Sequence, residues 1–344
     1  VFFGRASPAR KVAFIEDPTY FLAPKIFKEQ GFRMVPVPLR TGGGGGMDLD
    51  RLEAQVLAAK ARGELELELV PEKGRDGPQF AGVVYCIPSH QNPSGGSMPG
   101  EARARLVQLA REHSLLVVSD DVYELLHHPA TATAQAPHGA PPPPPPRLVA
   151  YDLEEPSDGG AQSGVVGGGN VLGNGTFSKV LSPGVRCGWI EARPALVRAL
   201  AASATVSSSG GSAQLMGAMV AGALDAGALD PLVDSTRQLL AKRMAAVQRA
   251  FKRRAPRGCS LSAPQGGMCA WLELPPGTDA HSVLVAARRR GVSFKPGDLF
   301  SPAGDQHRNC CRVVVAHYDE GTLVRGIEIL CQVLHDELAA GIAT

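Results

Sequence analysis

The chain has 344 residues, of which 44% are hydrophobic and 20% are charged, so it can bury a large core and wholesale disorder is excluded. Its 35 basic and 33 acidic residues leave a net charge of +2, which argues against a nucleic-acid-binding or membrane-surface protein. At this length we expect a globular protein of two domains.

The seven cysteines predict reduced thiols in a reducing compartment. Their number is odd and no CxxC pair occurs, which argues against a structural zinc site. No apolar run has membrane-spanning length, and no charged-then-apolar leader opens the chain. We therefore expect a cytoplasmic protein, with an organelle as the open alternative. Because the chain begins at Val1, we also expect that an N-terminal portion is missing.

Six short segments predict strands because they are rich in β-branched residues and bounded by Pro, Gly or Asp. They are residues 11–20, 32–39, 82–93, 114–123, 170–179 and 186–192. Helices fit between them, and one over 101–113 follows Pro99. Its apolar face consists of Ala102, Leu106, Leu109 and Ala110. Strands that alternate with helices predict an α/β fold with a mainly parallel sheet sandwiched by helices.

Three low-complexity tracts predict surface insertions, because glycine and proline runs cannot build a packed core. They are the glycines at 42–46, the prolines at 141–146 and the glycine-rich stretch at 159–169. The predicted insertions therefore lie near 42–46 and 128–169. A phosphate-binding role for GVVGGGN (164–170) is disfavoured, because that segment lacks the strand before it and the helix after it.

Beyond about residue 230 the pattern changes to that of a smaller α+β domain. A long helix from near Pro231 stacks Leu240, Met244, Val247 and Phe251 at helical spacing. Strands at 268–274 and 311–317 and a closing helix around 320–340 follow. We therefore predict a large domain over 1–230 and a small C-terminal domain over 231–344.

Polar side chains lie at the ends of four of the six predicted strands. Ligands of open parallel sheets bind outside the carboxyl ends of the strands. The sheet is therefore expected to direct five residues at one crevice: Tyr20, Asn92, Asp120, Tyr123 and Lys179.

These residue types fit the chemistry of pyridoxal phosphate. A lysine amine forms Schiff bases with carbonyls, best when burial or a nearby cation such as Arg186 lowers its pKa. A carboxylate such as Asp120 keeps a heteroaromatic nitrogen protonated, which makes the ring an electron sink. The hydroxyls of Thr176 and Ser178, with Arg186, are suited to a phosphate.

The chain resembles the fold-type-I pyridoxal-phosphate enzymes of the class I/II aminotransferase group, and among them the 2-aminoadipate transaminases. Seven segments carry the resemblance, in family order and over nearly the whole chain. They are EDPTYFLA (16–23), IPSHQNPSGG (87–96), VVSDDVYELL (117–126), GTFSKVLSPGVRCGWI (175–190), PQGGMCAWLEL (264–274), FKPGDLFSP (294–302) and RVVVAH (312–317).

The resemblance implies a role for each site residue. Lys179 would form the Schiff base and move the substrate proton, with Asp120 on the pyridine nitrogen. Asn92 and Tyr123 would bind the 3-hydroxyl, and Tyr20 would stack on the ring. Thr176, Ser178 and Arg186 would bind the phosphate, and Arg312, beside Asn92, the substrate carboxylate. It also implies a homodimer acting on an amino acid and a 2-oxo acid in amino-acid biosynthesis, with neither nucleic acid nor membrane as partner.

Several assignments leave alternatives open. Asp121 adjoins Asp120 and is interpreted as structural, because the spacing from Asp120 to Tyr123 matches the family. Thr176 and Ser178 compete as the better phosphate ligand, and Arg308 competes with Arg312. Four further residues receive no site role. Trp189 and Trp271 are interpreted as core residues, and His127 and His128 as polar residues at the ends of helices or strands.

Transamination is the leading function. A lyase on the same fold, a ligand-sensing domain of a transcription regulator and a truncated inactive homologue are the alternatives. The truncated inactive homologue is an alternative because the family's N-terminal arm, which contributes a phosphate-binding loop, has no counterpart before Lys11.

Overall fold

The computed structural model describes residues 11–40, 45–65, 79–129, 144–154, 169–208 and 213–342. Most of each predicted low-complexity insertion, including 42–44, 141–143 and 159–168, lies outside the described residues. Two sheets organise the remainder, a six-stranded one and a four-stranded one.

The larger sheet has the strand order β2-β1-β3-β4-β5-β6. Its strands are β1 (Val12–Asp17), β2 (Arg33–Pro38), β3 (Gly82–Cys86), β4 (Leu115–Asp120), β5 (Val171–Thr176) and β6 (Gly188–Glu191). All neighbouring pairs are parallel except β5 and β6, which are antiparallel. The predicted mainly parallel α/β sheet is thus confirmed, with an antiparallel strand at one edge.

Helices cover both faces of this sheet. The helices of this part of the chain are α1 (Ala23–Glu29), α2 (Leu49–Ala61), α3 (Gly100–Glu112), α4 (Leu148–Leu153), α5 (Pro194–Ala201), α6 (Ala204–Ser207) and α7 (Gln214–Asp225). One face packs against α2, α3 and α4, and the other packs against α5. β3 is buried at every position, as expected for a central strand of a parallel sheet.

The smaller sheet is antiparallel, with the order β7-β8-β10-β9. Its strands are β7 (Ser260–Leu261), β8 (Cys269–Glu273), β9 (Lys295–Pro296) and β10 (Cys310–Val314). The helices here are α8 (Leu229–Arg254), α9 (Ala280–Arg289) and α10 (Glu320–Ile342). The residues predicted to stack on the long helix are buried: Leu240, Met244, Val247 and Phe251.

All strands of the larger sheet precede α8 in the chain, and all strands of the smaller sheet follow it. This helix begins two residues before Pro231. The domain boundary near residue 230 stays a prediction. Among the described residues, no single helix has both the length and the apolar composition of a membrane span; α7 and α8 meet those criteria only as a pair bent by 88°.

The strands of the larger sheet end earlier than predicted. The segments predicted over 82–93 and 170–179 stop at Cys86 and Thr176, and turns follow both. Because β1, β3, β4 and β5 run parallel, the turns after them lie at the same edge of the sheet. The residues beyond the strands therefore carry the candidate site.

Candidate active site

A cavity of about 630 Å³ lies at the carboxyl ends of β3, β4 and β5. Eight of the nine predicted site residues line it: Tyr20, Asn92, Asp120, Tyr123, Thr176, Ser178, Lys179 and Arg186. The ninth, Arg312, reaches this group through a hydrogen bond to Asn92. The structure thus brings all nine residues into one neighbourhood.

Asp120, the last residue of β4, is held by two hydrogen bonds. Tyr85 Oη donates to Asp120 Oδ2 at 2.6 Å, and Asn174 Nδ2 donates to Asp120 Oδ1 at 3.0 Å. Burial raises the pKa of Asp120, whereas these two hydrogen bonds and the charge of Lys179 oppose the rise. The carboxylate is therefore fixed in orientation, with donors that favour its charged form.

Tyr85 and Asn174 were not predicted as site residues. Tyr85 lies in the apolar segment GVVYC, and Asn174 lies in the glycine-rich strand β5. Neither pattern distinguishes a side chain that supports Asp120 from one that only packs, because the partner is far away in the sequence.

Asp121 faces away from the cavity. It accepts a hydrogen bond from Ser119 Oγ at 2.7 Å, and burial raises its pKa to about 7. Successive residues at the end of a strand point to opposite faces. Of the two adjacent acids, only Asp120 lines the cavity, in agreement with the structural interpretation of Asp121.

Asn92 connects the two sheets at the site. Its Nδ2 donates to Tyr123 Oη at 3.3 Å, and its Oδ1 accepts from Arg312 Nη1 at 2.8 Å. The guanidinium of Arg312 also lies 4.9 Å from the centre of the Phe300 ring, a cation–π contact. Burial raises the pKa of the Tyr123 phenol well above its usual range, so the phenol stays protonated at neutral pH.

Lys179 projects from a tight turn after β5 and is exposed to the cavity. The turn is closed by Phe177 N–H, which donates to Cys187 O at 3.1 Å. A Cβ on Gly175 would overlap the indole of Trp189 on β6, so only glycine permits this close approach of the two strands. The antiparallel pairing of β5 and β6 thereby supports the lysine turn.

The hydroxyls before Lys179 have different partners. Thr176 Oγ1 accepts from Ser178 N–H at 3.1 Å and so stabilises the turn. Ser178 Oγ accepts from Arg186 Nη1 at 3.3 Å, and Arg186 also donates to Pro183 O at 2.9 Å. This geometry favours Ser178 with Arg186 as the anion-binding pair, while Thr176 stays a candidate because it lines the cavity.

The residues given no site role are engaged elsewhere. A ring nitrogen of His128 lies 3.2 Å from Gly267 O, and no metal-binding group of His, Cys, Asp or Glu occurs in the described part of the chain. Trp189 packs against Phe177, and Trp271 packs against Phe300. Both indoles are half-buried, so the predicted core role holds only in part.

Glu16 is a further supporting residue that was not predicted from the sequence. It is fully buried at the end of β1, and its Oε2 accepts from Ile87 N–H at 3.1 Å and from Gln91 Nε2 at 3.2 Å. Gln91 Nε2 also donates to Pro18 O at 2.7 Å. Glu16 therefore holds the loop that presents Asn92. An acid inside the apolar segment KVAFIE was the signal that could have identified it.

Glu16→Gln is expected to unfold with a different pH dependence from the wild type. Burial raises the pKa of Glu16 from 4.5 to about 8. Between these values the folded state keeps a proton that the unfolded state has released, so this contribution to stability is complete below about pH 4.5 and is lost as the pH rises towards 8. Glutamine cannot ionise, so the variant gains stability relative to the wild type with rising pH.

Urea unfolding of both proteins, from about pH 5 to about pH 8, measures this difference. Asp120 and Asp121 titrate in both proteins, so the comparison isolates Glu16 together with its coupling to Asp120. Parallel stability curves would show that Glu16 does not hold a proton in the folded state.

The geometry defines a class of enzyme. An amine on a tight turn and an oriented carboxylate line the same cavity, and a hydroxyl–guanidinium pair suited to a phosphate lies beside the amine. Pyridoxal phosphate needs a covalent lysine, an acid at its ring nitrogen and an anion site, so the residues fit this cofactor. The site is that of a pyridoxal-phosphate-dependent enzyme.

The chain belongs to the family described as aminotransferase class I and II, whose model matches residues 1–330. It is a pyridoxal-phosphate-dependent aminotransferase, which moves an amino group from an amino acid to a 2-oxo acid. The predicted resemblance, function and cofactor are thereby confirmed.

Three relatives support this assignment. The 2-aminoadipate transaminase of Thermus thermophilus is 30% identical over 342 residues, 98% of this chain and 72% of that protein. The alpha-aminoadipate aminotransferase structure from the same organism, complexed with N-(5'-phosphopyridoxyl)-L-leucine, has a TM-score of 0.75 at 30% identity, over 96% of this chain and 72% of that one. The kynurenine aminotransferase structure from Pyrococcus horikoshii has a TM-score of 0.77 at 28% identity, over 95% and 70% of the two chains.

Proposed function

We propose that Lys179 and Asp120 are the catalytic pair of this aminotransferase. The observation that carries the proposal is their placement on the same cavity, with Asp120 oriented by Tyr85 and Asn174. Pyridoxal phosphate, when bound, supplies a ring that withdraws electrons from the substrate Cα. The side chains of the protein do the rest: they bind the reactants, orient them and move the proton.

Lys179 Nζ holds the cofactor and then moves a proton to and from the substrate Cα. It is suited to this work because its turn is closed by backbone hydrogen bonds, while the side chain itself is free in the cavity. Asp120 keeps the proton on the ring nitrogen through charge, and its two hydrogen-bond donors prevent it from rotating away.

The other site residues would bind and orient the cofactor and the substrate. Asn92 and Tyr123, which line the cavity, would bind the oxygen on the cofactor ring, and Tyr20 would pack against the ring. Ser178 and Arg186 bind the phosphate, with Thr176 stabilising their turn. Arg312 binds the substrate carboxylate, because its guanidinium lies next to Asn92 and its Nε has no partner among the described residues.

The other predicted functions are not better supported than amino transfer. A lyase would use the same cavity, and the family match supports amino transfer instead.

A homodimer is proposed from the apolar surface of α7. Three of its side chains are largely exposed: Leu215 at 74%, Met219 at 59% and Leu224 at 51%. Exposed apolar groups grouped on one helix are typical of a protein–protein contact. Light scattering should give twice the chain mass of 36.0 kDa. Leu215→Glu combined with Met219→Glu should give the single mass; a wild-type monomer would refute the proposal.

We also propose a cytoplasmic enzyme of amino-acid biosynthesis. All seven cysteines are free thiols, which suits a reducing compartment. Fractionation of cells that produce the tagged full-length protein tests the location, and recovery in an organelle would contradict it.

The reaction is tested with purified protein, pyridoxal phosphate, an amino acid and 2-oxoglutarate. We expect glutamate to form in a 1:1 ratio with the 2-oxo acid derived from the donor. Release of ammonia with pyruvate instead would indicate a lyase, and the absence of any cofactor-dependent turnover would indicate an inactive protein.

A further inference from the structure

Lys295 places a second cation beside Arg312. The two residues are directly opposed on the antiparallel strands β9 and β10, so their side chains share one face of the small sheet. Lys295 Nζ lies 5.1 Å from the centre of the Phe21 ring, and the Arg312 guanidinium lies 4.9 Å from the centre of the Phe300 ring. The two rings meet edge to face at 6.0 Å. The cations therefore stand side by side on a pair of aromatic rings.

This pair of cations is not neutralised within the described structure. The carboxylates of the adjoining loops, Asp17 and Asp298, are engaged by His307 and His281 instead. Like charges directly opposed on two strands repel each other, so the arrangement favours an anion between or beyond them.

The surroundings add positive charge. Lys295 and Arg312 both line a second cavity, of about 670 Å³, at the edge of the small sheet. Its lining also includes Arg288, Arg325 and His317, and no Asp or Glu among the described residues. A cavity lined by one sign of charge concentrates ligands of the opposite sign.

We propose that Lys295 is a specificity-determining residue that binds the second carboxylate of dicarboxylic amino acids and 2-oxo acids. The proposal rests on the proposed function, in which Arg312 binds the first carboxylate. Two contacts connect these cations with the active-site cavity: Arg312 donates to Asn92, and Phe21, the ring below Lys295, contacts Tyr20 with ring centres 5.1 Å apart.

A lysine in this role predicts that the enzyme accepts substrates of different chain lengths. Its ammonium is a point charge on a flexible stem, whereas an arginine would require one planar geometry. Substrates of four to six carbons are therefore expected to be accepted, because the lysine tip follows the distal carboxylate as its distance from Arg312 changes.

Lys295→Gln is expected to raise KM for 2-oxoglutarate by about 10- to 100-fold, with kcat little changed, because a charge-assisted hydrogen bond is lost. Pyruvate has one carboxylate, so its KM should change by less than about threefold. Lys295→Arg should recover most of the 2-oxoglutarate affinity. Lys252→Gln, which removes an exposed lysine on α8, is the matched control and should behave as the wild type.

Calorimetry with the cofactor-loaded enzyme gives a readout that does not depend on turnover. Glutarate and butyrate carry neither an amino nor an oxo group, so they bind without reacting. Lys295→Gln should weaken glutarate binding by about tenfold or more and leave butyrate binding unchanged.

Equal losses for glutarate and butyrate, or no loss for either, would overturn the proposal. A wild type that binds glutarate no better than butyrate would overturn it too. If the wild-type enzyme fails to transfer amino groups to both 2-oxoglutarate and pyruvate, the proposed function fails instead, and glutarate binding still decides the role of Lys295.

Discussion

Lys179→Arg is expected to lower the rate of amino transfer by at least about 10³-fold, because one substitution removes both the covalent hold on the cofactor and the proton carrier. Arginine keeps the positive charge but cannot give up a proton near neutral pH. The rate of glutamate formation measures the loss. Borohydride reduction followed by mass spectrometry measures the covalent link, which the variant should lack.

Lys252→Arg is the control for this experiment, because Lys252 is an exposed lysine on α8. It should keep the wild-type rate and the covalent label on Lys179. Label found on another lysine of the wild type, or a variant that retains a tenth or more of the wild-type rate, would refute the assignment of Lys179.

Asp120→Asn is expected to weaken pyridoxal phosphate binding and to lower the rate by about 10²- to 10³-fold. The substitution leaves a buried cationic ring nitrogen without its partner, a loss of about 3–5 kcal/mol. The shape of the side chain is kept, so the effect reports charge rather than packing. Equilibrium titration with the cofactor and steady-state rates measure the two effects.

Asp121→Asn supplies a matched comparison, because Asp121 is the adjacent acid in the sequence but bonds to Ser119 away from the cavity. Its cofactor affinity should stay within about twofold of the wild type. If the asparagine at 121 caused the larger loss, the assignment of the two acids would have to be exchanged.

The sequence was sufficient to predict the cavity-lining residues at the ends of the strands. Tyr20, Asn92, Asp120 and Lys179 all follow strands of one parallel sheet, and topology places such residues at one edge. The antiparallel direction of β6 was not predicted, because a short strand has the same side-chain alternation whichever way it runs.

The supporting residues were not predicted, for a different reason. Tyr85, Asn174, Glu16 and Gln91 act through hydrogen bonds to distant positions, such as Tyr85 to Asp120, 35 residues apart. Arg103 shows the same difficulty. It lies on the helix predicted over 101–113, yet it is fully buried and donates to Pro88 O, Met98 O and Pro146 O. Periodicity predicts burial of apolar residues and gives no sign of a buried guanidinium.

The amide of Asn92 has one end on each lobe of the enzyme, with Tyr123 on one side and Arg312 on the other. Because the amide group is planar, rotating one end also rotates the other, so a change in the hydrogen bond to Arg312 would change the hydrogen bond to Tyr123. A ligand at the guanidinium that turns this amide would therefore also change its bond to the phenol, and by reciprocity a ligand at the phenol would alter affinity at the guanidinium. Binding of the cofactor and binding of the substrate would in this way be linked through a single side chain.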